Sequence, residues 1–96
     1  ARAGADVIGV NCAEGPEQAL DIIREMRDAL EGFPLMAQPN AGLPIMEGGG
    51  IVYPLGPEEM ADGMSRLIEE GVNVIGGCCG TTPDHIRLMA DLLPIT

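Results

Sequence analysis

The sequence has very few aromatic and basic residues. Among its 96 residues there are one Phe, one Tyr and no Trp, so any core must be built from aliphatic side chains and methionine. Five basic residues stand against fifteen acidic ones, which gives a formal net charge of −10 at pH 7. Phosphate groups and anionic membranes both attract basic patches, so this balance argues against nucleic acid and against a membrane surface as partners.

Long hydrophobic runs and paired cysteines are also missing. No apolar run approaches the roughly 20 residues that a membrane-spanning helix needs. The three cysteines are an odd number and two of them are adjacent, which does not fit the disulfide framework of a small secreted domain. We therefore expect a reducing, cytoplasmic setting.

Three stretches of the chain each predict a strand followed by a helix. The predicted strands are short apolar runs of the kind found in parallel sheets buried on both faces: residues 6–11, 33–38 and 72–76. Each following helix opens with a proline in its first turn: Pro16, Pro57 and Pro83. Residues 39–56 are rich in Gly and Pro, and we expect them to form a long loop that is functional or mobile.

The alternation of strands and helices predicts an α/β fold. Strand–helix–strand units of this spacing are right-handed and build a parallel sheet. Three such units alone would leave two unpaired sheet edges, which proteins avoid leaving bare. We therefore predict that the chain is part of a closed (β/α)8 TIM barrel.

All three cysteines fall where the predicted strands end. The active site of a (β/α)8 barrel lies at the carboxyl ends of its strands, and Cys12, Cys78 and Cys79 occupy such positions. Glycines on both sides of the adjacent pair permit the sharp backbone turn that two neighbouring metal ligands need. Three thiolates about 2.3 Å from one zinc ion would leave a fourth tetrahedral position open, which is typical of catalytic zinc.

Other interpretations of the cysteines stay open. A buried cysteine is often only a small apolar residue, and an adjacent pair can be incidental. A vicinal disulfide between Cys78 and Cys79 would be strained, but it would suit a redox role.

Four further residues have competing roles. The position of His85 in the first turn of the last helix favours a capping or surface role over a role as zinc ligand. Tyr53 could either pack over the site or close the long loop. Thr81 and Thr82 fit a helix cap, although their backbone N–H groups could also hold a substrate carboxylate.

Three motifs, taken in order, resemble the homocysteine S-methyltransferase family. They are Gly9-Val-Asn-Cys12, Pro39-Asn-Ala-Gly42 and Gly76-Gly-Cys-Cys-Gly-Thr-Thr-Pro83. Two further stretches look most like the cobalamin-dependent members of that family: Val52-Tyr-Pro-Leu55 and Pro83-Asp-His-Ile86. The match covers nearly the whole chain, and the combination is specific although no single motif is.

The resemblance implies a (β/α)8 barrel in which three cysteines hold zinc and homocysteine supplies the fourth ligand as a thiolate. It assigns the metal ligands to Cys12, Cys78 and Cys79. It also places Asn40 beside the metal, where the side chain can occupy the open position before substrate arrives. By the same comparison, residues 1–96 are three βα units forming the C-terminal part of the barrel, and the N-terminal remainder of the barrel is their partner.

The function implied by the resemblance is methyl transfer to the thiol of homocysteine, giving methionine, with zinc activating the thiolate. The methyl donor would be methylcobalamin on a separate module, or a small donor such as betaine or S-methylmethionine. The isolated chain is expected to be inactive. The alternative is a non-catalytic βα fragment or a structural zinc-binding scaffold, which needs a fourth protein ligand such as His85 or Asn40.

Overall fold

The structure, a computed structural model, describes residues 3–30 and 32–93. The other positions of the predicted 1–96 domain lie outside the described residues. In chain order the elements are β1 (Ile8–Cys12), α1 (Pro16–Ala29), β2 (Leu35–Pro39), β3 (Ile45–Glu47), β4 (Gly50–Val52), α2 (Pro57–Glu69), β5 (Val74–Ile75) and α3 (Pro83–Ala90).

Strands β1, β2 and β5 form a parallel sheet in which β2 lies in the middle. Cys12 pairs with Pro39, so β1 and β2 end at the same edge of the sheet. The pairing of Ala37 with Ile75 places the end of β5 near that edge as well. The predicted α/β fold with a parallel sheet is confirmed, whereas the closed barrel stays a prediction.

The hydrophobic core lies between one face of this sheet and the helices. Alternate residues of β2 are buried, and Leu35 and Ala37 are among those that lie in the core. Helix α2 packs against both α1 and α3. As the composition predicts, the core is aliphatic and rich in methionine: Ala19, Leu20, Ile23, Leu35, Ala37, Ala41, Met60, Met64, Leu67, Val72 and Met89.

No described element covers the opposite face of the sheet. Gly9 and Asn11 of β1 are exposed, and Val74 of β5 is 44% exposed. Burial of the sheet on both faces, which the apolar strands predicted, is therefore not found within residues 3–30 and 32–93. The reason is that the strand residues buried in the core cluster, Leu35 and Ala37, both lie on the same face of the sheet.

The helix starts agree with the sequence prediction. Pro16, Pro57 and Pro83 are each the first residue of a helix, where a missing N–H costs no hydrogen bond. None of the described helices is long and apolar enough to cross a membrane.

The predicted long loop, residues 39–56, contains a short antiparallel hairpin formed by β3 and β4. Its turn is formed by Gly48 and Gly49, which both adopt positive φ. The hairpin's apolar side chains are exposed, and Met46 is 74% exposed.

Candidate metal centre

The three cysteine side chains meet at the carboxyl edge of the parallel sheet. Cys12 ends β1, while Cys78 and Cys79 lie in the loop between β5 and α3. Their three Sγ atoms lie within 4.8 Å of one another, and those of Cys12 and Cys78 are 2.9 Å apart. Among residues 3–30 and 32–93, no His, Asp or Glu joins this cluster. The predicted meeting of the cysteines is observed, and metal binding by them stays a prediction.

The first cysteine sits on a strained turn of the backbone. Cys12 and Ala13 have φ of 61° and 54°, the left-handed region that costs an L-residue about 1–2 kcal/mol. Asn40 holds both carbonyls of this turn. Its backbone N–H donates to the Cys12 oxygen at 2.7 Å, and its Nδ2 donates to the Ala13 oxygen at 2.9 Å. The sequence did not indicate this turn, because neither residue is glycine.

The second cysteine loop is tied to the same short segment after β2. The N–H of Cys78 donates to the Pro39 carbonyl at 2.9 Å, and the N–H of Ala41 donates to the Cys79 carbonyl at 2.9 Å. The N–H of Cys79 donates to Oδ1 of Asn40 at 3.0 Å. Residues 39–41 therefore lie between the two cysteine segments and are bonded to both.

The short distance between two sulfurs couples their ionisation. Hydrogen bonding to Cys78 raises the pKa of Cys12 to about 11, with smaller contributions from burial and from the charges of the neighbouring sulfurs. The same hydrogen bond lowers the pKa of Cys78, against the opposing effect of burial. Cys78 is thus the more acidic thiol of this pair, and Cys12 is the one that holds its proton more tightly.

Tyr53 packs beside the cluster. Its ring lies where a Cβ on Gly80 would be, and Gly80 has a φ of +82°. Its hydroxyl hydrogen-bonds with Cys79, which raises the pKa of Tyr53. Of the two roles left open by the sequence, the structure favours packing over the site.

Thr82 is the N-cap of helix α3 and His85 completes its capping box, which confirms the predicted capping role, whereas the surface role left open for His85 is wrong because the residue is buried. Its Nδ1 accepts from the N–H of Thr82 at 3.1 Å, and its Nε2, as the remaining donor, bonds to the carbonyl of Leu55 at 2.8 Å. The side chain is 5% exposed and has no nitrogen left for a metal. The N–H of Thr81 donates to the Cys78 carbonyl, so the N–H groups suggested for a substrate carboxylate are already bonded within the chain.

Comparison with known proteins identifies the family of the chain. The model of the homocysteine S-methyltransferase family matches residues 1–93. Methionine synthase of Mycobacterium leprae (strain TN) is 46% identical over 88 residues, and that of Mycobacterium tuberculosis (strain ATCC 25618 / H37Rv) is 44% identical over 88 residues. Each alignment covers 91% of this chain but 7% of the relative, so the chain spans a small part of these proteins. The resemblance carried by the three motifs is confirmed: the chain belongs to the homocysteine S-methyltransferase family.

Proposed function

We propose that this chain supplies the zinc-binding part of an enzyme that transfers a methyl group to the thiol of homocysteine, giving methionine. The observation that carries the proposal is the meeting of Cys12, Cys78 and Cys79 at the carboxyl edge of a parallel sheet. Membership of the homocysteine S-methyltransferase family supports the reaction and the substrate. The identity to two methionine synthases supports the same conclusion.

The donor set fits zinc. Thiolates bind zinc at about 2.3 Å, and tetrahedral geometry then places two sulfurs roughly 3.8 Å apart. The three Sγ atoms lie within 4.8 Å of one another, and the Cys12–Cys78 pair at 2.9 Å needs to open by roughly 1 Å. Three protein ligands leave a fourth position for the substrate sulfur. When bound, zinc lowers the pKa of that thiol so that the thiolate is present near neutral pH.

The residues of the chain then have distinct tasks. Cys79 is exposed while Cys12 and Cys78 are partly covered, so homocysteine would reach the cluster from the Cys79 side. Asn40 belongs to the same site, since its amide is bonded to the backbone of both cysteine loops. In the reaction, the homocysteine thiolate attacks the methyl carbon. A sulfur–carbon bond forms, and the bond to the donor breaks with its electron pair left on the donor.

The barrel and the methyl donor belong to the same proposal. The helices cover one face of the sheet and leave the face with Gly9, Met36 and Val74 open, as expected for strands that line the interior of a (β/α)8 barrel. We place the chain as three βα units in the C-terminal part of that barrel, completed by an N-terminal remainder. The methyl donor would be methylcobalamin on a separate module or a small methyl donor, and the setting would be the cytoplasm.

The alternative function, a structural zinc scaffold, needs a fourth protein ligand. His85 has both ring nitrogens hydrogen-bonded, to Thr82 and to Leu55. Both ends of the Asn40 amide are bonded to backbone groups. These contacts favour a site with an open position over a closed structural one.

X-ray absorption at the zinc edge tests the proposal in the full polypeptide that carries these residues. We expect three sulfur ligands without substrate and four after homocysteine is added. Methionine is the matched control, because its thioether cannot become a thiolate, and it should leave the sulfur count at three. No retained zinc, or four protein ligands before homocysteine is added, would refute the proposal.

The cysteine ligands can be tested separately by substitution. Cys78→Ala and Cys79→Ala each remove one of three ligands, so zinc should be lost during gel filtration while the folded structure is kept. Ser65→Ala on α2 is the control and should keep the zinc content of the unmodified protein, since the Ser65 hydroxyl donates to the Asp62 carbonyl of its own helix and makes no hydrogen bond to a cysteine. Unchanged zinc in either cysteine variant would contradict the assignment.

A further inference from the structure

We propose that Asn40 is a positioning residue whose side-chain amide clasps the two cysteine-bearing loops together and so sets the spacing of the three sulfurs. The consequence for zinc rests on the proposed function. The clasp itself is a property of the chain without metal and can be tested on its own.

The clasp consists of two hydrogen bonds at opposite ends of one amide group. Oδ1 of Asn40 accepts from the N–H of Cys79 at 3.0 Å, and Nδ2 donates to the carbonyl of Ala13 at 2.9 Å. These partners lie 39 and 27 positions away along the chain. Asn40 is 9% exposed and both hydrogen bonds are partly buried, so their loss should cost more than the loss of a hydrogen bond on the open surface.

The sheet alone does not join the two cysteine loops. Strand β2 separates β1 from β5, so no ladder hydrogen bonds run directly between the strand that carries Cys12 and the strand that precedes Cys78. The backbone of residues 39–41 bonds to each loop in turn. The Asn40 side chain adds a single rigid group that bonds to both.

The strained turn at Cys12 explains why such a group is needed. Cys12 and Ala13 are both left-handed, a conformation that L-residues hold only where surrounding contacts favour it. The backbone N–H and the side-chain Nδ2 of Asn40 bind the two carbonyls of this turn. Losing the side chain would release the second carbonyl and free the turn that places the Cys12 sulfur.

Asparagine suits this role because its amide has an acceptor and a donor at opposite ends. Aspartate would keep the acceptor for the Cys79 N–H but lose the donor to Ala13. Alanine would lose both and leave two partly buried backbone groups without these partners, which is more costly than the loss of a fully exposed hydrogen bond.

A matched pair of variants tests the clasp in the full polypeptide. Asn40→Ala removes it. Asn73→Ala removes a similar hydrogen bond at the amino-terminal end of β2, where Oδ1 of Asn73 accepts from the N–H of Leu35 at 3.1 Å. In metal-free protein, Asn40→Ala should speed hydrogen exchange at the Cys79 amide by roughly two- to tenfold. Asn73→Ala should speed exchange at Leu35 and leave Cys79 unchanged.

Zinc affinity is the second measurement, made by competition with a chromophoric chelator. Asn40→Ala should weaken zinc binding by about 10- to 100-fold, the range found when groups that orient metal ligands are removed. Asn73→Ala should bind zinc as tightly as the unmodified protein. If Asn40→Ala does not fold, Asn40→Ser takes its place with the same expectations, because a serine side chain cannot span both loops.

The combined outcomes separate a clasp from other roles. Weaker zinc binding with unchanged exchange at Cys79 would mean that Asn40 acts as a ligand only, and it would overturn the clasp. Faster exchange with unchanged zinc affinity would overturn its role in setting the sulfur spacing. If the unmodified protein retains no zinc, the proposed function fails. In that case the clasp is tested by two measurements on metal-free protein. Asn40→Ala should speed hydrogen exchange at the Cys79 amide, and it should slow disulfide formation between Cys12 and Cys78 when the oxidant diamide is added.

Discussion

Replacing Gly80 with alanine should strain the cysteine loop by an amount that can be separated into two parts. Gly80 has a φ of +82°, and an added Cβ would overlap the Cβ and Cγ atoms of Tyr53. Gly49, in the hairpin turn, also has a φ of +82°, but nothing lies within 4 Å of its Cβ position. The two alanine variants therefore share the backbone strain and differ in the contact with Tyr53.

The expected magnitudes follow from these two geometries. A left-handed alanine costs about 1–2 kcal/mol, which is the full expected effect of Gly49→Ala. Gly80→Ala adds the displacement of the Tyr53 ring, and overpacking of this kind costs about 1–3 kcal/mol. Gly80→Ala should therefore lower the free energy of unfolding by about 2–5 kcal/mol in total.

Native-state hydrogen exchange in the full polypeptide measures this loss within the sheet itself. A suitable probe is the amide of Gly76, which donates to the carbonyl of Ala37 at 3.0 Å. Adding Tyr53→Gly to Gly80→Ala removes both the Cβ and the Cγ that the new Cβ would meet, so the double-mutant cycle should recover the contact part of the loss. Losses for Gly80→Ala and Gly49→Ala that agree within about 0.5 kcal/mol would refute the packing of Tyr53 on Gly80.

Zinc binding should release at least one proton, because Cys12, with its pKa raised to about 11, still carries its proton near neutral pH. Chelator competition should show affinity rising with pH by roughly tenfold per unit for each proton released between about pH 6 and about pH 8, and an affinity independent of pH would contradict Cys12 as a ligand. Ile23→Ala should destabilise the fold by about 2–5 kcal/mol because Ile23 is 0% exposed in the core. Ile51 is 65% exposed on the hairpin, so Ile51→Ala should change the free energy of unfolding by no more than about 0.5 kcal/mol in denaturant titrations. Equal losses for Ile23→Ala and Ile51→Ala would argue against the core described above.

The helices were the most predictable part of the fold. A proline in the first turn and apolar residues at helical spacing act over a few neighbouring residues, so both can be read directly from the sequence. The third strand was less predictable: residues 72–76 were expected, and the observed strand is Val74–Ile75. Hydrogen bonds to β2 set its length, and these depend on the register between the strands rather than on local pattern.

The hairpin inside residues 39–56 was missed, although a local signal for it exists. Two short segments that each contain two large apolar residues, Ile45–Glu47 and Gly50–Val52, flank a turn at Gly48 and Gly49. The exposed side chains of this hairpin lack the alternation of apolar and polar residues that marks a half-buried strand. Glycine pairs between short apolar runs would have indicated the turn.

The sequence by itself determined the α/β alternation and placed Cys12, Cys78 and Cys79 at strand ends, because apolar runs and helix starts are local features. Parallel strands bring their carboxyl ends to one edge, so the pattern placed the cysteines at the same edge of the sheet. Whether they meet there depends on the order of the strands, which the pattern left open. Only the tertiary structure decided how close the sulfurs are, since that depends on a left-handed turn at Cys12 and on the Asn40 amide that bonds to both loops. Those contacts join residues 27 and 39 positions apart, and no local preference of the chain specifies them.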